Sequence, residues 1–191
     1  EVIVVDNARE RVLSDKERCA LQRELKACDW EVMEVFFRTG LRSKEAFLLR
    51  VADCHFGKGI AMILDTKTGR SRPIPMVGWF REYCARAAKA KREFVVLLKG
   101  FEHYSSRIVA GEAWKQKVLR VALKRAGISD FRLHDGRHMA TTDLIEAGAK
   151  DADVTAIMGW KSSTYLKRYT NLSAKRLAAT MALLDRPRGR R

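Results

Sequence analysis

No stretch of this sequence is both long enough and apolar enough to cross a bilayer, and no lipidation signal is present. The four cysteines, Cys19, Cys28, Cys54 and Cys84, include no CxxC pair, which argues against a zinc site and against a disulfide framework. The opening residues Glu1-Val2-Ile3-Val4-Val5-Asp6 lack the basic region and apolar stretch of a secretory leader. These absences together predict a reduced, cytoplasmic setting. Acidic residues are also scarce: 23 Asp and Glu face 38 Lys and Arg in 191 residues, a formal net charge of +15. Such a surplus points to a polyanionic partner, and nucleic acid fits better than an acidic membrane because no anchoring segment accompanies the charge. The length suits one compact domain with a real core, and no internal repeat divides it.

Helical periodicity dominates what is there. Ser14-Asp15-Lys16-Glu17 is a capping-box pattern, followed by Leu21, Leu25 and Cys28 at helical spacing, and predicts a helix from Asp15 to Ala27. Trp30 to Arg38 reads as a buried helix that Gly40 ends. Ile60–Leu64 and Arg72–Met76 flank a turn at Lys67-Thr68-Gly69 and predict a small hairpin; Pro73 and Pro75 cannot donate to a ladder, so that strand belongs at an edge. Further helices are expected at Gly78–Lys91, Glu112–Arg125, His134–Ala147, Val154–Met158, near Tyr169, and at Ser173–Leu184. Trp114, Val118, Val121 and Ala122 mark the apolar stripe of the second of these. Phe94–Leu98 fits either a short strand or a buried loop. The ending Arg186-Pro187-Arg188-Gly189-Arg190-Arg191 reads as a flexible basic tail.

Six residues carry types suited to phosphate chemistry: Arg42, Lys67, His134, Arg137, Trp160 and Tyr169. Guanidiniums hold phosphate oxygens bidentately, lysine and histidine move protons, an indole N–H donates only, and a phenol can be a nucleophile. Taken singly, each has a plainer reading: a solvated arginine, a turn lysine, a buried aromatic. His134 and His138 also have the i, i+4 spacing of a zinc pair. Asp135 stands where that motif requires glutamate, however, and Arg137 would bring a cation to the metal.

The local settings of these residues are Thr39-Gly40-Leu41-Arg42-Ser43-Lys44-Glu45, Thr66-Lys67-Thr68-Gly69-Arg70-Ser71-Arg72, His134-Asp135-Gly136-Arg137-His138, and Met158-Gly159-Trp160, with Tyr169 nine residues after Trp160. In this order they resemble the catalytic domain of tyrosine recombinases, the phage integrase family, from Leu13 to about Leu184. The resemblance implies an α+β, mainly helical DNA breaking-rejoining fold with a small antiparallel hairpin sheet. It implies a catalytic domain at residues 14–185, preceded by a linker at 1–13 from an upstream core-binding domain and followed by the tail at 186–191. It further implies that Arg42 and Arg137 clamp the scissile phosphate, that His134 is an acid/base group, and that Glu45 supports the fold. Lys67 would protonate the leaving 5′ oxygen, Trp160 would hold a phosphate oxygen, and Tyr169 would attack, with Tyr165 its competitor one helical turn away. Gly136 departs from the family's leucine, with looser packing expected there, and Leu166 departs from its threonine.

The activity this resemblance implies is site-specific recombination of double-stranded DNA through a 3′-phosphotyrosyl link, with no metal, ATP or other cofactor. A homo-tetramer is expected on DNA and a monomer away from it, in a nucleoid-associated cytoplasmic setting. Type IB topoisomerase-like relaxation and a catalytically decayed DNA-binding module are the alternatives. The amphipathic segment 173–184 favours recombination, and the six intact positions argue against decay. Affinity of this chain alone for a short duplex should be weak and should fall steeply between about 50 and 200 mM salt as counterion release is suppressed. Fluorescence anisotropy measures it directly, and a salt-insensitive nanomolar complex would contradict the expectation.

Overall fold

A computed structural model describes residues 11–64, 71–162, 164 and 166. The chain divides into two compact units, one of residues 9–140 and one that takes in everything from Thr141 onward. The first unit contains α1 (Asp15–Glu24), α2 (Ala27–Thr39), α3 (Ser43–Leu48), β1 (Cys54–His55), β2 (Ile60–Leu64), β3 (Ser71–Pro75) and α4 (Gly78–Lys89). It continues through α5 (Arg107–Trp114), a π-helical turn (Lys115–Leu119) and α6 (Arg120–Arg125) into the first half of α7 (Asp135–Glu146). The second unit holds the rest of α7 and α8 (Asp151–Met158), and buries Thr141, Ile145, Val154, Met158 and Leu166.

The capping box at Ser14 is present, with the serine oxygen accepting from the Glu17 amide and the Glu17 carboxylate from the Ser14 amide. The first helix stops at Glu24 rather than Ala27 because Leu25 turns extended (φ −101°, ψ 142°) to bury its side chain, and α2 starts at once from Ala27. Helix α2 is the centre of the first unit. Val32, Met33, Val35, Phe36 and Phe37 are all buried, and Phe36 meets Phe47 of α3 edge-on with ring centroids 5.8 Å apart. Gly40 ends α2 in the left-handed region (φ 61°), where a side chain would be strained.

The sheet has the order β1-β2-β3, all antiparallel, with Ala61 opposite Cys54 on one side and Ile74 on the other. Pro73 and Pro75 lie on β3, an edge strand, so their missing donors cost no ladder bond. Strand β1, only two residues long, carries too little alternation to be read from sequence. The segment 94–98 is a buried loop with one bridge, Phe94 to Arg50. Its polar backbone is satisfied locally: the Val95 amide donates to the Leu49 carbonyl (2.9 Å), the Leu97 amide to the Tyr83 hydroxyl (3.3 Å), and Arg107 donates to the Val96 carbonyl.

The long helical stretch expected from Glu112 begins five residues earlier, at Arg107, because Ser106 caps it by accepting from the Val109 amide. The π turn then shifts the helical register. Trp114 and Ala122 stay buried, but Leu119 and Leu123 take over the inward face, and Val121, expected in the stripe, is 41% exposed. Buried Trp114 donates its indole N–H to the buried Asp29 carboxylate at 2.7 Å, tying α5 to α2.

Helix α5 packs on α3 at Gly111, where a Cβ would lie 2.9 Å from Phe47 Cγ and closer still to Cδ2 and Cε2. Gly111→Ala is therefore expected to lose about 1–2 kcal/mol, the overpacking cost outweighing alanine's better helix propensity. Adding Phe47→Leu should return part of that loss. Urea unfolding checks both, and a Gly111→Ala variant as stable as the parent would show that the helices separate without cost.

Candidate phosphate-binding site

The site is built where α2 ends. The turn at Gly40 releases the chain into an extended Arg42 (φ −69°, ψ 153°), which is the N-cap of α3. Glu45, three residues on, accepts the Arg42 amide at 2.9 Å and the Arg42 Nη1 at 2.8 Å. The same carboxylate receives Arg72 from β3 as a two-pronged pair, Nη1 to Oε1 at 2.8 Å and Nη2 to Oε2 at 3.0 Å. Burial alone would raise the Glu45 pKa. The bonds from Arg72 and from the Arg42 backbone, with the charges of both arginines, outweigh burial and hold it below the ordinary carboxylate range.

Arg137 arrives from α7. Its side chain is buried, and Nη1 donates to the Gly40 carbonyl at 2.7 Å, two residues from Arg42. Gly136 makes this approach possible: a Cβ there would sit 3.2 Å from Phe36 Cβ and 3.4 Å from Phe37 Cδ1. The expectation of looser packing at Gly136 is thus corrected, because glycine at this place lets α7 lie tightly on α2. His134 precedes the helix, and its ring meets that of His138 edge-on with centroids 5.2 Å apart. Partial desolvation, then Arg137, and more weakly Arg42, hold the His134 pKa below its ordinary value, while Asp135 pulls the other way. Arg42 and Arg137 are therefore both close enough to act on one imidazole.

Of the six candidate residues, the structure brings Arg42, His134 and Arg137 together. Trp160 follows Gly159, the left-handed cap of α8, and its amide donates to the Thr155 carbonyl at 3.0 Å in the second unit. Lys67, Tyr169 and Tyr165 lie outside the described residues, as do the segment 173–184 and the tail. Across the π turn and α6, Gln116, Arg120, Val121, Lys124 and Arg125 line an open concavity of about 720 Å³ whose charged members are all basic.

Two guanidiniums and an imidazole gather at a helix end, in a mainly helical fold with one small sheet. The chain belongs to the phage integrase family, whose model matches residues 10–176. It is 30% identical over 183 residues to a shufflon-specific DNA recombinase of Escherichia coli, covering 93% of this chain and 44% of that protein. It is 38% identical over 79 residues to the integrase of Salmonella phage P22, covering 41% of this chain and 19% of that one. The chain thus spans less than half the length of these relatives. Its fold is that of solved tyrosine recombinases. The XerA recombinase superimposes with a TM-score of 0.65 at 19% identity, covering 93% of this chain and 64% of that one. A Tn1549 transposon integrase in complex with a circular intermediate DNA gives 0.70 at 20% identity, covering 94% and 67%.

Arg72 was not legible as part of this site. The signal was a buried glutamate that a single exposed arginine would leave half-compensated, but burial at Glu45 is not visible in the residue string.

The lowered His134 pKa has a signed consequence. As pH falls through 6.5 the unfolded chain takes up the proton before the native state does, so stability is lost below 6.5 and is untouched above it. An NMR titration should place the His134 midpoint below 6.5, and the acid-side loss of stability should be shallower in His134→Gln. A midpoint at or above 6.5 would contradict the cationic setting.

Proposed function

We propose that this chain is the catalytic domain of a site-specific DNA recombinase that cuts and rejoins double-stranded DNA through a tyrosyl intermediate. The observation that carries this reading is the convergence of Arg42, at the start of α3, with His134 and Arg137, at the start of α7, Arg137 being fixed on the Gly40 carbonyl at 2.7 Å. Fixed guanidiniums stabilise charge on the equatorial oxygens of a pentacoordinate phosphorus without reorganising during the reaction. Trp160 supplies one further donor through its indole N–H.

In this reaction Tyr169 Oη attacks the phosphorus in line, its phenolic proton passing to the neutral His134 imidazole, and the bond to the 5′ oxygen breaks. Lys67 delivers the proton that the departing oxygen needs. The energy of the phosphodiester is conserved in the tyrosyl link, so the 5′ hydroxyl of another strand reverses the step without ATP. Arginines supply positive charge where many phosphoryl-transfer sites place Mg²⁺. The basic concavity along α6 supports a duplex partner by attraction to its backbone. Strand exchange between two duplexes calls for several protomers, and a tetramer on DNA is part of the proposal.

Covalent trapping tests it. The protein is mixed with supercoiled and nicked DNA in EDTA, denatured, and assayed for protein-linked 3′ ends. An adduct is expected that Tyr169→Phe abolishes, while Arg42→Ala and Arg137→Ala each slow its formation by about a hundredfold or more, the scale of losing one oxyanion donor. Near-parental cleavage by either arginine variant would sink the assignment, and an adduct persisting in Tyr169→Phe would transfer the nucleophile to Tyr165.

A further inference from the structure

We infer that Arg72 is a positioning residue for Arg42: by occupying both oxygens of Glu45, it leaves the Arg42 guanidinium available to an incoming phosphate. The inference rests on the reading of Arg42 as a phosphate clamp. Glu45 is almost wholly enclosed, with 3% side-chain exposure, and carries one negative charge between two cations. Arg72 engages it with the planar fork, one nitrogen to each oxygen, at 2.8 and 3.0 Å. Arg42 gives the carboxylate only its amide and Nη1, and its side chain remains 39% exposed where that of Arg72 is 15%. The division of labour is geometric: the buried arginine takes the fork, and the exposed one is held by its edge.

Removing Arg72 changes what Glu45 asks of Arg42. A buried carboxylate with one cation left either draws that cation into the two-pronged geometry or takes up a proton. Drawn inward, Arg42 no longer offers its fork to a phosphate; with Glu45 protonated, the acceptor that fixes the Arg42 amide and Nη1 weakens. Lysine cannot replace Arg72, because a point ammonium does not span both carboxylate oxygens. The groups facing Glu45 are Arg42 from its own turn and Arg72 from β3, and the charge of Arg42 reaches on to His134 at the approach to α7.

The test uses the 191-residue chain and two independent readouts. In NMR, the Glu45 carboxyl carbon, assigned with Glu45→Gln, should titrate at higher pH in Arg72→Gln than in the parent, and the Arg42 side-chain nitrogens, assigned with Arg42→Lys, should shift. Unchanged signals for both residues would overturn the inference whether or not the protein cleaves DNA. In the trapping assay, Arg72→Gln and Arg72→Lys should each form adduct about tenfold more slowly or worse, the scale of a misplaced catalytic group, and the acid-side loss of activity should set in at a higher pH than in the parent. The double variant Glu45→Gln/Arg72→Gln removes the charge along with its partner, so at a pH where the NMR titration shows Glu45 ionised in Arg72→Gln it should fold and should cleave faster than Arg72→Gln alone. A double variant no faster than the single one at that pH would overturn the inference, reducing the pair to a structural tie. If the NMR changes appear but the parent forms no adduct, the coupling stands and cleavage by this chain alone falls.

Discussion

The carbonyl of Gly40 is where the fold becomes a site. A helix end leaves carbonyls without partners, and here one of them accepts Arg137 from a helix nearly a hundred residues away in sequence. The bond requires α7 to lie against α2 at the distance Gly136 permits, and α2 to stop where the left-handed Gly40 stops it. A shift in either helix moves Arg137 and Arg42 together, since Arg42 is two residues past the acceptor. The core serves this geometry: Phe36 and Phe37 form the floor on which α7 rests, and Asp29 with Trp114 fixes the start of α2 to α5.

Glu45 is the second constraint. Buried carboxylates are costly unless every lone pair finds a donor, and this one receives four donors from two arginines. The result is a connection between α3 and β3, elements remote in sequence, made through a charge that either arginine alone would satisfy poorly. Its value to stability as an ion pair is modest by general experience with such pairs. The orientation it imposes on Arg42 is the larger consequence, because a two-pronged phosphate contact depends on where the guanidinium plane points.

Much of this was legible in the residue string, and the reasons differ from place to place. Ser14 with Glu17, Gly40, and the Pro73/Pro75 pair are local signals whose physics acts over three or four residues, and each has the structural role its neighbours imply. The motif around His134 and Arg137 was also local, because the Arg137 amide donates to the His134 carbonyl at 3.0 Å across the single turn that opens α7. What escaped was set by distant partners. The π turn at Lys115–Leu119 leaves no mark in hydrophobic spacing except a misplaced Val121, and Leu25 leaves its helix for a burial that only the folded neighbours define. Gly136 reads in the string as a lapse from a larger residue, and only Phe36 packed against it gives the reason for a glycine. Arg72 reads as one more arginine of a basic hairpin, since nothing in its immediate sequence names Glu45 as its partner.

The electrostatic design of the site separates fixed charge from titratable charge. Guanidiniums stay protonated at any physiological pH, so Arg42, Arg72 and Arg137 form a permanent field, balanced in part by Glu45 and the buried Asp135. His134 sits in that field and is pushed toward its neutral form, with Arg137 and Arg42 among the causes. A neutral imidazole has one nitrogen to donate and one to accept, which a protonated imidazole does not. The same arginines that would hold a phosphate therefore keep their neighbour in the state that can exchange a proton with a reacting group. An arriving phosphate would add negative charge and relax that pressure, so proton affinity at His134 and anion occupancy at the arginines are linked. In the proposed reaction one cluster of residues would then perform two jobs, holding charge and moving protons, because its cations cannot titrate and its histidine can.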